Sequence, residues 1–364
     1  MLISDTFVKI GYNISIRTLG GVPMSNVSVL LAQAKALSKQ EQDELLSQLE
    51  DFVVLGSQAK QITREVKEMR FSKGRVCCHC NDTNVVRNGK NNGVQRYLCR
   101  CCNKSFSDLT SSATYRSKKG LDKWLKYARC MLNGYSIRKC AGIVEINIAT
   151  SFFWRHKLLN CISDFLGVGS VDGVVEADEV FFAYSYKGTK PSNMPRPSRK
   201  RGKQVKKRGI SDEQVCVATA LDRQGNLIIE LLCTGRMTAE ELKILYDNRI
   251  GKETILCTDS HKSYIQFSSD MGLEHKQIRR GRHKEDIYHI QHINSLHYNL
   301  KGWMRRFNGV ATKYLSNYMK WHKWMDTFSS EKETIRTKNL LVHSNISHKY
   351  TRVKEFKSIV PNFI

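Results

Sequence analysis

Hydrophobic positions recur along this chain at two periods, and the change of period divides it. From residue 27 to about 69 they follow helical spacing. There Ser38-Lys39-Gln40-Glu41 opens like a capping box, and Leu45, Leu46, Leu49, Phe52 and Val53 form an apolar stripe suited to packing or self-association. Residues 1–23 show little periodicity, and Met24 offers an alternative start. Leu121, Trp124, Leu125, Ala128 and Leu132 mark a second amphipathic helix, closed by Gly134-Tyr135-Ser136. Residues 136–144 and 148–157 then read as two short helices about a tight turn. That is the layout of a helix-turn-helix, with Arg138, Thr150, Ser151, Arg155 and Lys157 offered to a DNA groove; a compact three-helix bundle has the same apolar spacing.

Past residue 170 the period falls to two. The run 174–184 has the Val, Phe and Tyr content of a buried strand, yet carries Glu176, Asp178 and Glu179. Residues 214–221 and 227–233 are apolar strands joined by the turn Asp222-Arg223-Gln224-Gly225-Asn226. Thr238-Ala239-Glu240-Glu241 opens a helix to about Ile250, and a short apolar run, 254–258, ends on Asp259-Ser260-His261. A further short helix, a strand near 275–278 and a long helix from about Asn294 to Phe307 complete the order. A carboxylate in a buried strand is costly unless a cation compensates it. Glu176 and Asp178 alone also fit the solvated face of an edge strand, but two strands each delivering an Asp point to a metal site. The element order predicts an α/β fold: a ribonuclease-H-like domain, a mixed five-stranded sheet with flanking helices. Adjacent strands there bring two Asp residues together, and two Mg²⁺ ions roughly 3.5–4 Å apart serve phosphodiester displacement.

Composition adds the partner. The formal net charge is +25 in 364 residues, which predicts a polyanionic partner, with double-stranded DNA ahead of a membrane surface. No apolar run approaches the roughly 18–20 residues of a membrane helix, and no signal pattern opens the chain, so a cytoplasmic protein is expected. Cys77-x-x-Cys80 and Cys99-x-x-Cys102, eighteen residues apart, supply four thiolates for one structural Zn²⁺. Cys78, Cys101 and His79 leave other registers open. Between the knuckles, two strands rich in Arg and Lys suit phosphate contact. Residues 187–209, with Arg199, Lys200 and Arg201, form a basic, proline-bearing insertion suited to clamping a DNA backbone. The expected organisation is a helical segment (1–70), a zinc ribbon (71–115), a helix-turn-helix-like region (116–168), the ribonuclease-H-like domain (170–330) and a tail (331–364).

With these residues assembled, the chain resembles bacterial insertion-sequence transposases of the DDE superfamily. More narrowly it is similar to the ISXO-like group, insertion-sequence family fifteen-ninety-five, with its N-terminal zinc ribbon. The resemblance covers roughly residues 38–325. It rests on the four cysteines, Glu176-Ala177-Asp178-Glu179, Thr258-Asp259, the tract from His292 to Lys301, and Gly309-Val310-Ala311-Thr312-Lys313-Tyr314-Leu315. It implies binding of terminal inverted repeats, cleavage of the DNA ends and joining of the 3′-hydroxyls to target DNA. Asp178 and Asp259 would be ligands of Mg²⁺ or Mn²⁺, and a homodimer or higher oligomer would synapse the two ends. The third acid, usually Glu, is missing. Asn294 stands in its place, seven residues before Lys301, which would contact phosphate. His297, one turn on, is the alternative. An Asn carbonyl brings no charge, so help from Glu179, Glu285 or Asp286 is one way to complete the site. The competing class is a zinc-ribbon and helix-turn-helix DNA-binding regulator with a lapsed catalytic domain; a third class is a nuclease that cuts without joining. Metal-dependent nicking and strand transfer separate the three.

Overall fold

A computed structural model describes residues 26–72, 74–91, 94–189, 191–193, 207, 209–278 and 286–364, without the side chains of residues 47, 48, 50–52 and 191. The chain divides into two compact units, Met1–Ser57 and Gln58–Ile364. In the first lie helix α1 (Asn26–Lys35) and the start of α2 (Lys39–Arg70). The expected capping box opens α2: Ser38 N–H and Oγ–H donate to Glu41 Oε2 at 2.9 and 2.7 Å, and Glu41 N–H donates back to Ser38 Oγ. Leu46, Leu49 and Val53 are exposed on this helix. The unit boundary falls at Ser57 and not near 70, because Ile62 and Val66 are fully buried and tie the later half of α2 into the second unit.

In the second unit, β1 (Val85–Asn91), β2 (Val94–Cys99) and β3 (Ser105–Ser107) form a three-stranded antiparallel ribbon in chain order. Three helices follow: α3 (Leu121–Leu132), α4 (Ile137–Val144) and α5 (Ile148–Leu166). Ser136 Oγ caps α4 by accepting from Lys139 N–H, and Asn147 Oδ1 caps α5 by accepting from Ala149 N–H. Between them Glu145 turns the chain with φ +57°.

The larger sheet is built from β4 (Val174–Ala183), β5 (Gln214–Asp222), β6 (Leu227–Thr234), β7 (Ile255–Thr258) and β8 (Glu274–Gln277). Its order is β6-β5-β4-β7-β8; β5 is antiparallel to both neighbours, and β4, β7 and β8 are parallel. That mixed five-stranded order is ribonuclease-H-like. Two helices, α6 (Ala239–Tyr246) and α7 (Lys262–Met271), cover one face over a core of Val175, Ala177, Ala218, Leu242, Tyr264 and Phe267. On β4 the intervening residues Glu176 and Asp178 therefore turn to the other face, under α8 (Gln291–Arg305). The helices α9 (Leu315–Thr327) and α10 (Glu333–Ile346) pack on α5, and α9 also meets β6. The turn that joins β5 to β6 is closed by Asp222, whose Oδ1 accepts from Gln224 and Asn226 N–H. Among the described residues no helix is long and apolar enough to cross a membrane.

Candidate active site and nucleic-acid surfaces

Strand register brings the two predicted aspartates together. Glu176 pairs with Cys257 across the parallel β4–β7 ladder, so Asp178 and Asp259 come level two residues further on, where β7 has just ended. Their proximity is felt in the titration of Asp178. Burial first, then the charges of Glu179 and Asp259, push its carboxyl up to about 7. Among the described residues no Lys or Arg pairs with Asp178 to offset that crowding, so the geometry fits a bound cation.

On helix α8 the side chain that reaches Asp178 is His297. The Thr219 Oγ–H donates to the Asp178 carbonyl at 2.7 Å, so its oxygen accepts from His297 Nε2–H, also at 2.7 Å. This assigns the tautomer: Nδ1 carries the lone pair and stands 3.5 Å from Asp178 Oδ2. Burial, aided by the Lys301 charge, pushes the imidazole down to about 4, so it is neutral and ready to ligate at neutral pH. Asn294, one turn earlier, is exposed; Lys301, one turn later, is exposed as well. Glu179 points to the α6–α7 face, where it interacts with Tyr264 in the core, and so does not join His297. Asp286 is exposed and Glu285 lies outside the described residues. Thr219 was not singled out in the sequence; its signal was a polar residue inside an otherwise apolar strand.

Two residues before Asp178, Glu176 is 1 % exposed and has several polar neighbours. Arg223 Nη1 lies 2.8 Å from Oε1, His292 Nδ1 lies 2.8 Å from the same oxygen, and Oε2 accepts the Ile293 N–H at 3.0 Å. A strand carboxylate thus caps α8, whose own N-cap, Ile290, offers no side-chain acceptor.

The four cysteines of the ribbon converge as their spacing predicts. Cys77, Cys80, Cys99 and Cys102 place their sulfurs within 4.8 Å of one another. Cys77–Cys102 and Cys80–Cys99 are 3.7 and 3.6 Å apart, matching the about 3.75 Å separation of thiolates around tetrahedral zinc. Each knuckle ends on an Asn in the left-handed region, Asn81 (φ 60°) and Asn103 (φ 52°). The N–H of Cys102 leads the interactions that hold the Cys99 thiol down at about 7. The residues fit zinc, which would be held by these four and not by Cys78, Cys101 or His79.

The expected groove contacts need correction. Ser151 and Arg155 are buried: Ser151 Oγ–H donates to Ile137 O at 2.8 Å, and Arg155 Nη2 donates to Tyr135 O at 2.6 Å. Arg155 also lies over the rings of Phe307 and Trp321, so its charge holds α5 to α9 and to the turn that follows α8, and is not available to DNA. Arg138 is exposed on α4; Thr150 and Lys157 are half-buried, with Lys157 Nζ over the Tyr350 ring. Exposed basic residues on the ribbon are Arg87, Lys90, Arg96 and Arg100. Arg199, Lys200 and Arg201 lie outside the described residues; the insertion's first residue, Lys187, donates to the carbonyls of Asn308 and Gly309.

The sheet order is ribonuclease-H-like, and the β4–β7 register brings two aspartates level on adjacent strands. Residues 170–327 match the model of the ISXO2-like transposase domain. The chain is also 24 % identical over 258 residues, 70 % of this chain and 85 % of the relative, to an uncharacterized protein in transposable element ISH50 of Halobacterium salinarum. Among solved structures it is similar to a pre-cleavage Mos1 transpososome (10 % identity, 62 % of this chain and 79 % of that one, TM-score 0.19). It is likewise similar to the Mos1 strand transfer complex (12 % identity, 62 % and 80 %, TM-score 0.22). Overlaps this low carry no weight beside the strand order itself.

Proposed function

We propose that the chain is a divalent-metal-dependent DNA transposase that binds the terminal inverted repeats of its own element, cuts the DNA ends and joins the freed 3′-hydroxyls to target DNA. The observation that carries this reading is the convergence of Asp178, Asp259 and the neutral His297, with no counter-cation among their described side-chain partners. Asp178 and Asp259 bind the catalytic cations, and His297, held in its tautomer by Thr219, completes the set in preference to Asn294. Asp178, Asp259 and His297 would hold cations there, which would supply charge for the attacking and leaving oxygens of phosphodiester displacement. An imidazole in the set favours Mn²⁺ over the harder Mg²⁺. Lys301 contacts phosphate near the scissile bond, while the ribbon and Arg138 hold the flanking backbone. One structural zinc in the ribbon, two or more protomers in the synaptic complex and a cytoplasmic location complete the reading.

The test is strand transfer by purified protein with a labelled duplex ending in the element's terminal repeat. Joined product should form with Mn²⁺ and more slowly with Mg²⁺; Asp178→Asn, Asp259→Asn and His297→Ala should abolish it while the ends stay bound. A wild type that binds the ends but neither cuts nor joins them with either metal leaves a DNA-binding regulator as the better account.

A further inference from the structure

Glu176 gathers a second set of ligand atoms that the centre at Asp178 does not use. Its Oε1 is met by His292 Nδ1 at 2.8 Å and by His289 Nδ1 at 3.3 Å, and the three atoms lie within 4.8 Å of one another. Ligands about 2.0–2.2 Å from one tetrahedral ion stand about 3.3–3.6 Å apart, so small side-chain shifts close this set. The carboxylate is fixed, because Oε2 holds the Ile293 N–H. Glu176 is 1 % exposed while His292 is 58 % exposed, which gives an ion a way in.

The side chains alone do not satisfy this cluster. Arg223 Nη1 lies 2.8 Å from Glu176 Oε1, 2.5 Å from His292 Nδ1 and 3.2 Å from His289 Nε2. A guanidinium only donates. If His292 Nδ1 gives a proton to Glu176, it faces the Arg223 donor with a proton of its own; if it accepts from Arg223, its lone pair faces the carboxylate. Either way one contact at this buried charge is repulsive. His289 Nδ1 meets the same difficulty, since it accepts the Gln291 N–H at 3.3 Å and so also turns a lone pair toward the region of Glu176.

We propose that Glu176, His289 and His292 form a binding site for a divalent transition-metal ion of the zinc class, in which the ion replaces Arg223 as the counter-charge of Glu176. Two imidazoles and one carboxylate suit such an ion and not Mg²⁺. The ion would tie β4 to the first turn of α8, and its binding does not depend on the reading of Asp178, Asp259 and His297 as a nuclease centre.

The test uses full-length protein whose four-cysteine site is filled with Zn²⁺, in excess Mg²⁺, titrated with Co²⁺ and read by visible d–d absorption and by cobalt retained on gel filtration. In D178N/H297A, where the other centre is removed, one Co²⁺ per chain should bind without sulfur charge-transfer absorption. Adding H289A/H292A should weaken it by more than about 100-fold, beyond the loss of a merely supporting residue. Removing the competing charge in Arg223→Gln should tighten it roughly tenfold. If the double variant does not fold, His292→Gln at its exposed position carries the same expectation. No cobalt beyond the zinc equivalent overturns the proposal. So does cobalt that persists in H289A/H292A but disappears in D178N/H297A, which would put the ion at Asp178 instead.

Discussion

Glu176 and Asp178 stand two residues apart on one face of β4, both under α8, and the fold treats their charges in opposite ways. Glu176 is closed off: a guanidinium, two imidazoles and the Ile293 N–H surround it. Asp178 is crowded by Glu179 and Asp259 and faces an imidazole pushed below its charged range. Among the described residues a guanidinium stands beside Glu176 and neither Lys nor Arg pairs with Asp178. The contrast is one of counter-charge among the side chains, and burial does not predict it, since Glu176 is the deeper of the two.

The largest effect that tests the contrast is on chemistry. Asp178→Asn or Asp259→Asn should lower DNA cleavage by about 10³-fold or more, the loss of several kcal/mol of transition-state stabilisation. End binding measured by mobility shift should be nearly unchanged; loss of binding to the same degree would make these residues structural.

Stability should move in opposite directions at the two positions. Glu176→Ala leaves Arg223 and the first turn of α8 without their acceptor, and breaking a buried pair of this kind costs about 3–5 kcal/mol. Asp178→Asn removes an uncompensated charge and should leave the metal-free protein as stable as wild type or more so. Urea unfolding in chelator reads both, and equal losses at the two sites would erase the distinction.

A pH series sharpens it further. The Asp178 carboxyl is raised in the fold to about 7 from 3.8, so the folded state keeps its proton where the unfolded chain has lost it. The metal-free protein therefore loses stability as pH rises from about 4 through 7. A cation competes with that proton and offsets the loss. The rise in melting temperature given by saturating Mn²⁺ should be larger at pH 8 than at pH 6 in wild type, and the difference should vanish in Asp178→Asn. A rise of equal size at both pH values would place the cation elsewhere.

Much of this arrangement was legible in the residues, and the part that was not has a common cause. Period-two patterning located β4 and β5, and Asp259 at the end of an apolar run marked β7. Cysteine spacing marked the ribbon. Which acid was compensated could not be read, because the partners of Glu176 come from a hairpin turn and from the approach to α8. Arg223 there reads as an ordinary turn residue and His289 and His292 as polar spacing. Ser151 and Arg155 misled for the same reason. A serine and an arginine on a short helix suggest exposure, and the Ile137 and Tyr135 carbonyls that bury them become neighbours only when α4 folds back on α5.

The smallest expected effect is at Asn294. Helical spacing alone placed Asn294 and His297 on nearly one flank: three residues turn a helix by about 300°, leaving them roughly 60° apart. The fold resolves the choice by burying His297 against Asp178 and Thr219 and leaving Asn294 in solvent. Asn294→Ala should then stay within about 0.5 kcal/mol of wild type in stability, and within about twofold in strand transfer, the same energy expressed as a rate. His297→Ala should remove activity while sparing end binding. If Asn294→Ala instead matched His297→Ala in lost cleavage, α8 would have to turn by that 60° when DNA binds. The Ile293 N–H bond to Glu176 would then have to break, so the capped and the open carboxylates of β4 would no longer be independent.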